Sequence, residues 1–187
     1  MTDDTQASTL VILGAGGHGR VVADAALLGG RFARVLATDR DPARCRGELL
    51  PGVALLPLDA VLTLAGAVFH VAIGSAASRA RETRLLEQRP LATIVHPHAS
   101  FSPHASAADG CFIAAQAVVA PGARLAAGVI VNHGAVVDHD GAVGAFSHIA
   151  PRAALGGHAS VGAAVLLGSG ATVLPGLSIC DDVTVGA

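Results

Sequence analysis

The sequence predicts a small α/β domain over residues 1–92, followed by a parallel β-helix of hexapeptide repeats over residues 93–187. Three observations carry this reading. A strand, a glycine-rich loop and a helix follow one another near the start, and the chain switches to a six-residue period close to residue 93. Aromatic residues make up only 3% of the chain, and its apolar residues are mostly Ala, Val and Leu, which suits a slim, regularly packed interior.

In the front half, Leu10 to Leu13 is a short β-branched run ending at Gly14. His18 to Leu28 reads as a helix stopped by Gly29 and Gly30. Val35 to Thr38 and Val68 to Ile73 read as buried strands. Ser75 or Ser78 caps a further helix running to Arg89, which Pro90 closes. Strand, helix and strand in this order imply a small parallel sheet with crossover helices.

Every sixth residue from Phe101 to Val185, fifteen positions in all, is apolar. Four residues after each stands a mostly small or β-branched one, such as Ala117, Ala123, Ala135 and Ala153. Pro103, Pro121, Pro151 and Pro175 fall where a turn uses a fixed φ. Neither an α-helix nor a hairpin sheet has this period; a three-sided parallel β-helix does. Its flat faces lead us to expect association through one of them.

Composition excludes several classes. The net charge is −2, and the basic residues are all Arg and unclustered, so no nucleic-acid footprint is expected. No run of about 18 apolar residues argues for membrane insertion. The polar, acidic start lacks the regions of a signal peptide, and Cys45, Cys111 and Cys180 form no disulfide framework. A cytoplasmic protein is expected.

Two stretches carry chemistry. Gly14-Ala15-Gly16-Gly17-His18-Gly19 satisfies GxGxxG between a strand and a helix, and Asp39 follows where a ribose-binding acid belongs, the Rossmann-like pattern. Only about 90 residues precede the repeats, so a nucleotide carrying a sugar fits better than a dinucleotide. The second stretch, Asn132 to Asp140, concentrates polar side chains in an Ala-rich half, with Asp138 and Asp140 flanking His139. A carboxylate orients an imidazole and raises its basicity. His96, His98 and His104 read as polar turn residues. His133, His139, His148 and His158 lie six, nine and ten apart, a spacing from which no metal site is expected.

Together these segments resemble the sugar acetyltransferases of the sialic-acid O-acetyltransferase and bacillosamine/perosamine N-acetyltransferase group. The resemblance rests on LVILGAGGHGRVV (10–22), TDRDP (38–42), VAIGSAASR (71–79), IVHPHAS (94–100) and above all VNHGAVVDHDGAVGAFSHIAPRAALGGHASVG (131–162). It implies a left-handed β-helix, a homotrimer with active sites between neighbouring subunits, acetyl-CoA as donor and a nucleotide-activated amino sugar as acceptor. His139 matches the general base and Asp140 the group that orients it. His148, the Gly157 backbone and Ser169 match positions along the acetyl-CoA. Asn132 matches a polar residue near the reacting groups, and Gly16, Gly17, His18, Asp39 and Gly74 match the nucleotide-sugar contacts. The chain stops at Ala187 within a coil, where relatives continue, so the final coils are expected to be lacking and donor binding weakened. N-acetylation of a nucleotide-linked 4-amino sugar is the leading expectation. O-acetylation of sialic acid or another sugar, a non-catalytic nucleotide-sugar scaffold and nicotinamide-dependent reduction stay open.

Overall fold

The computed structural model describes residues 9–86 and 89–187. Its front part contains β1 (Thr9–Leu13), α1 (Gly17–Gly29), β2 (Arg34–Thr38), β3 (Glu48–Leu50), β4 (Val53–Leu55), α2 (Leu58–Leu62), β5 (Val68–Val71) and α3 (Ala76–Leu85). β1 is flanked in parallel by β2 and β5, and the sheet order is β3-β4-β2-β1-β5. The expected parallel core is present, with α1 crossing from β1 to β2. Val22, Ala23, Ala25 and Ala26 form the buried face of α1, and Gly30 ends the helix at φ 61, where a glycine has no Cβ penalty.

Two details differ from the sequence reading. β3 and β4 pair antiparallel around Gly52, so the sheet is mixed. α3 ends at Leu85 rather than Arg89, because Leu86 drops into the apolar cluster around Phe69 and Val71. Residues 87–88 of the expected helix lie outside the described residues. The expected cap is present: Ser75 Oγ accepts the N–H of Ser78.

From Ile94 onward the chain forms sixteen two-residue strands in three parallel sheets. Val119 pairs with Val137, and Val137 with Leu155, so one coil takes eighteen residues and each hexapeptide makes one side and one corner of a prism. This is an α/β domain in front of a left-handed parallel β-helix. The in-register residues Ile113, Val119, Val131, Val137, Ile149 and Leu155 fill the prism, with Ala117, Ala135, Ala153 and Ala159 buried beside them. Ser147 is the polar member of that inner column; its hydroxyl donates to Gly162 O and accepts from Val165 N, which satisfies it in an apolar interior.

The second residue of each corner is commonly left-handed. Glycine fills it at 122, 128, 134, 170 and 176, whereas Asp140, Phe146, Arg152 and His158 adopt it without that freedom. The two parts share one apolar core, in which Phe112, Ala114 and Ile130 of the first coils pack with Leu10, Val22 and Ala26. No helix among the described residues is long and apolar enough to cross a membrane.

Candidate functional site

The glycine loop combines close packing at two of its glycines with open space at the others. A Cβ at Gly14 would lie 2.7 Å from Ala72 O, and one at Gly19 would lie 1.9 Å from Gly14 O, so these two glycines allow the helix and strands to pack closely. Gly16, Gly17 and Gly74 instead face open space, with nothing within 4 Å of a Cβ. They line a cavity of about 400 Å³ together with His18, Asp39 and Arg81. No side chain caps α1 and no acid stands in its first turn, which leaves its N-terminal N–H groups to an anion. Asp39 shapes the loop as well as lining the cavity, accepting the N–H groups of Ala15 at 2.8 Å and Asp41 at 3.0 Å. Arg40 and Glu82, paired at 2.6 Å, join the strand side of the cavity to α3. His18 packs edge-on against Phe112, and burial, with help from His70, pushes its pKa down to about 3. It is therefore neutral, and its buried Nε2 has no partner among the described residues.

The second group occupies one corner of the prism. Successive coils place Pro121, His139, Gly157 and Pro175 at the first corner residue, and Gly122, Asp140, His158 and Gly176 at the second. Asp138 Oδ1 accepts the backbone N–H of His139 at 2.7 Å, and Asp140 Oδ2 accepts from its Nδ1 at 3.0 Å. Nε2 is then left with its lone pair and lies against Gly157, where a Cβ would come within 2.3 Å of it. The Gly157 N–H has no acceptor among the described residues. An exposed imidazole and the free main-chain donor of a buried glycine thus stand side by side. The Asp140 carboxylate rests on Gly122, where a Cβ would meet it at 2.4 Å. The hydrogen bond to Asp140 raises the His139 pKa above the ordinary histidine range, and the same bond holds Asp140 below the usual carboxylate range. Asp140 and His158 hold φ near 59° and 56°, the left-handed conformation common to the second corner residue along the prism.

The third group lies on the opposite side of the prism. His148 opens a strand of the sheet facing the front domain, whereas the His139 corner joins the other two sheets. Asn132 Oδ1 accepts from His133 N, so its amide nitrogen donates to His148 Nε2 at 3.0 Å and leaves the Nδ1–H of that ring to a ligand. Burial pushes His148 down to about 4, so it is a neutral donor. It lines a second cavity, about 520 Å³, with Gly74, Ser75, Val165 and Thr184. Ser169 lies on a third corner, exposed and apart from both groups.

Three residues escaped the sequence reading. His158 Nε2 reaches Asp140 Oδ2 at 3.6 Å, and its ring stands edge-on to His139. His139, Asp140 and His158 thus offer three ligating atoms within 4.8 Å, a grouping the histidine spacing did not foretell. They are exposed, and His139 and Asp140 already satisfy each other, which suits proton transfer. His96 is buried rather than a surface turn residue, its Nδ1 accepting from His98 N. Arg79, in a helix that mostly faces water, is 1% exposed.

Residues 9–85 match the family described as the PglD N-terminal domain. Over 96% of its length the chain is similar to the GDP-perosamine N-acetyltransferase of Caulobacter crescentus, a histidine-to-alanine mutant of which was solved in complex with CoA and GDP-perosamine. Identity is 33%, 86% of that chain is covered and the TM-score is 0.88. It is similar over 96% of both chains to the acetyltransferase domain of PglB from Neisseria gonorrhoeae in complex with acetyl coenzyme A, at 32% identity and a TM-score of 0.76. WeeI from Acinetobacter baumannii, at 17% identity and a TM-score of 0.70, shares the fold. No curated protein sequence matches the chain.

Proposed function

Because the chain belongs to the hexapeptide-repeat sugar acetyltransferases, we propose that it moves the acetyl group of acetyl-CoA onto the amine of a nucleotide-linked 4-amino sugar, with His139 as general base. The observation that carries the mechanism is the juxtaposition at one corner of the His139 Nε2 and the unpaired Gly157 N–H. The acceptor amine attacks the thioester carbonyl while Nε2 takes its proton. Gly157 donates to the oxygen on which negative charge develops. The C–S bond then breaks, the amide forms, and CoA leaves as the thiol with the proton His139 accepted. Asp138 fixes the backbone of the base and Asp140 its tautomer.

The nucleotide sugar occupies the cavity beneath Gly16 and Gly17, its diphosphate at the α1 N-terminus and its sugar towards His18 and Gly74. Acetyl-CoA runs past Gly157 of one chain, with His148 and Ser169, which lie on other sides of the prism, as further contacts from neighbouring chains. In a single chain His139 and the nucleotide cavity lie on opposite sides of the prism. That separation supports a homotrimer in which the corner of one chain faces the cavity of the next. Three free thiols, two of them buried, fit a reducing cytoplasm.

Thiol release from acetyl-CoA, measured against a panel of UDP- and GDP-linked 4-amino sugars and free sialic acid, tests the reading. Turnover with a nucleotide-linked amino sugar is expected; turnover with sialic acid alone would replace N- by O-acetylation.

The pH profile tests the Asp140 role. A base works unprotonated, and a carboxylate on Nδ1 raises its pKa, so the acidic limb of kcat/KM lies above the ordinary histidine range. In Asp140→Asn that support is gone, the His139 pKa falls, and the limb moves to lower pH with a lower plateau. A limb that stays in place would separate Asp140 from the base.

A further inference from the structure

Arg79 lies in α3 with its guanidinium buried, and among the described residues no carboxylate pairs with it. All its partners are main-chain carbonyls, and they belong to two parts of the molecule. Nη1 donates to Ile73 O at 2.7 Å and Gly74 O at 2.9 Å, in the loop that follows β5 and lines the nucleotide cavity. Nε donates to Gly128 O at 2.7 Å, and Nη2 to Phe146 O and, at 3.5 Å, to Ser147 O. Ser147 immediately precedes His148. One planar fork therefore ties the cavity loop to the coil that carries the neutral histidine.

The apolar contacts of Phe112, Ala114 and Ile130 already hold the two parts together. Apolar packing is non-directional, so it sets closeness but not register. A guanidinium with donors in a rigid plane does set register, because its partners must lie where the fork points. Gly128 adds to this: a Cβ there would come 2.6 Å from the Phe146 ring, so the two corners that supply these carbonyls approach more closely than a side chain at 128 would allow.

Resting on the proposed acetyl transfer, we infer that Arg79 is a positioning residue, which fixes the nucleotide-sugar cavity relative to the His148 ledge so that acceptor and thioester meet in reacting geometry. It touches neither substrate. Its removal leaves each half-site intact and misplaces one against the other.

Arg79→Met and Arg79→Lys in the full chain test this. The affinities for the nucleotide sugar and for CoA, titrated separately, are expected to stay within about threefold, while kcat at saturation falls on the order of 10²-fold, the cost of a misplacement of roughly 1 Å. Lys is expected to resemble Met, since a compact ammonium cannot serve both carbonyl groups. If the Met variant fails to fold, the Lys variant carries the test. Wild-type kcat in a folded variant, with only thermal stability changed, would overturn the proposal. Hydrogen exchange of the Ile73–Ser78 backbone gives a readout independent of turnover. It is expected to quicken in both variants, and unchanged exchange would overturn the positioning role even if no acceptor sugar is acetylated. Quickened exchange in a chain inactive on every sugar would sink the acetyl-transfer reading instead.

Discussion

Replacing His139 by alanine is expected to lower kcat by about 10²- to 10⁴-fold, the usual worth of a positioned general base. The side chain is half exposed at a corner, and its ring packs on Gly157 rather than into the prism, so the variant should keep the fold. Acetyl-CoA affinity should change little, because the Gly157 N–H and the His148 donor remain. The decisive comparison is single-turnover acetyl transfer at neutral pH with both substrates saturating. A rate within threefold of wild type would mean that the amine loses its proton without help, and His139 would become a contact rather than a base. Residual activity should rise with pH in the variant, because water or hydroxide then removes the proton.

Most of the β-helix was legible because its rule is local and repeated. One apolar residue in six, beside a small one, fixes the same side-chain direction on every coil, so Val119, Val137 and Leu155 could be placed before any pairing was known. The glycine loop was legible for a similar reason, since its chemistry depends on neighbours in sequence. β3 and β4 were not, because three-residue strands split by Pro51 and Gly52 carry no period. The corner around His139 was half legible. Asp138 and Asp140 are its neighbours, but Gly157 and His158 meet it only because a coil takes eighteen residues. Applying the repeat a second time would have stacked Gly157 over His139 and His158 over Asp140. Arg79 gave no signal of this kind. Its partners are carbonyls as far as 68 residues away, and carbonyls leave no mark in a sequence. A charged residue on a helix among Ser78, Arg81 and Glu82 reads as a solvated face, although burial lowers its pKa only to about 10 and it stays charged.

Mixing two crippled chains should restore activity, and the size of the gain follows from where the prism puts its groups. The corner holding His139 joins two sheets, while His18, Gly74 and His148 cluster against the third, so in the proposed trimer the corner of one chain serves the cavity of a neighbour. His139→Ala keeps the cavity and loses the base. Gly17→Trp keeps the base and puts an indole at the mouth of the cavity, from a position where a Cβ meets nothing within 4 Å. Each parent alone should be down by about 10²-fold or more. If chains assemble at random into rings and each site draws on two neighbours, roughly a quarter of the sites in an equal mixture combine an intact corner with an intact cavity. Co-refolding or co-expressing the two variants should therefore recover about a quarter of wild-type turnover, a gain of more than 10-fold over either parent. If a chain's own His139 served its own cavity, no mixture would exceed its parents, and the shared site would be lost along with the trimer it requires. Size measurements on the same mixtures separate a failure to assemble from a failure to share. Only trimers that remain inactive count against the geometry, because the two variants leave the flat faces of the prism untouched.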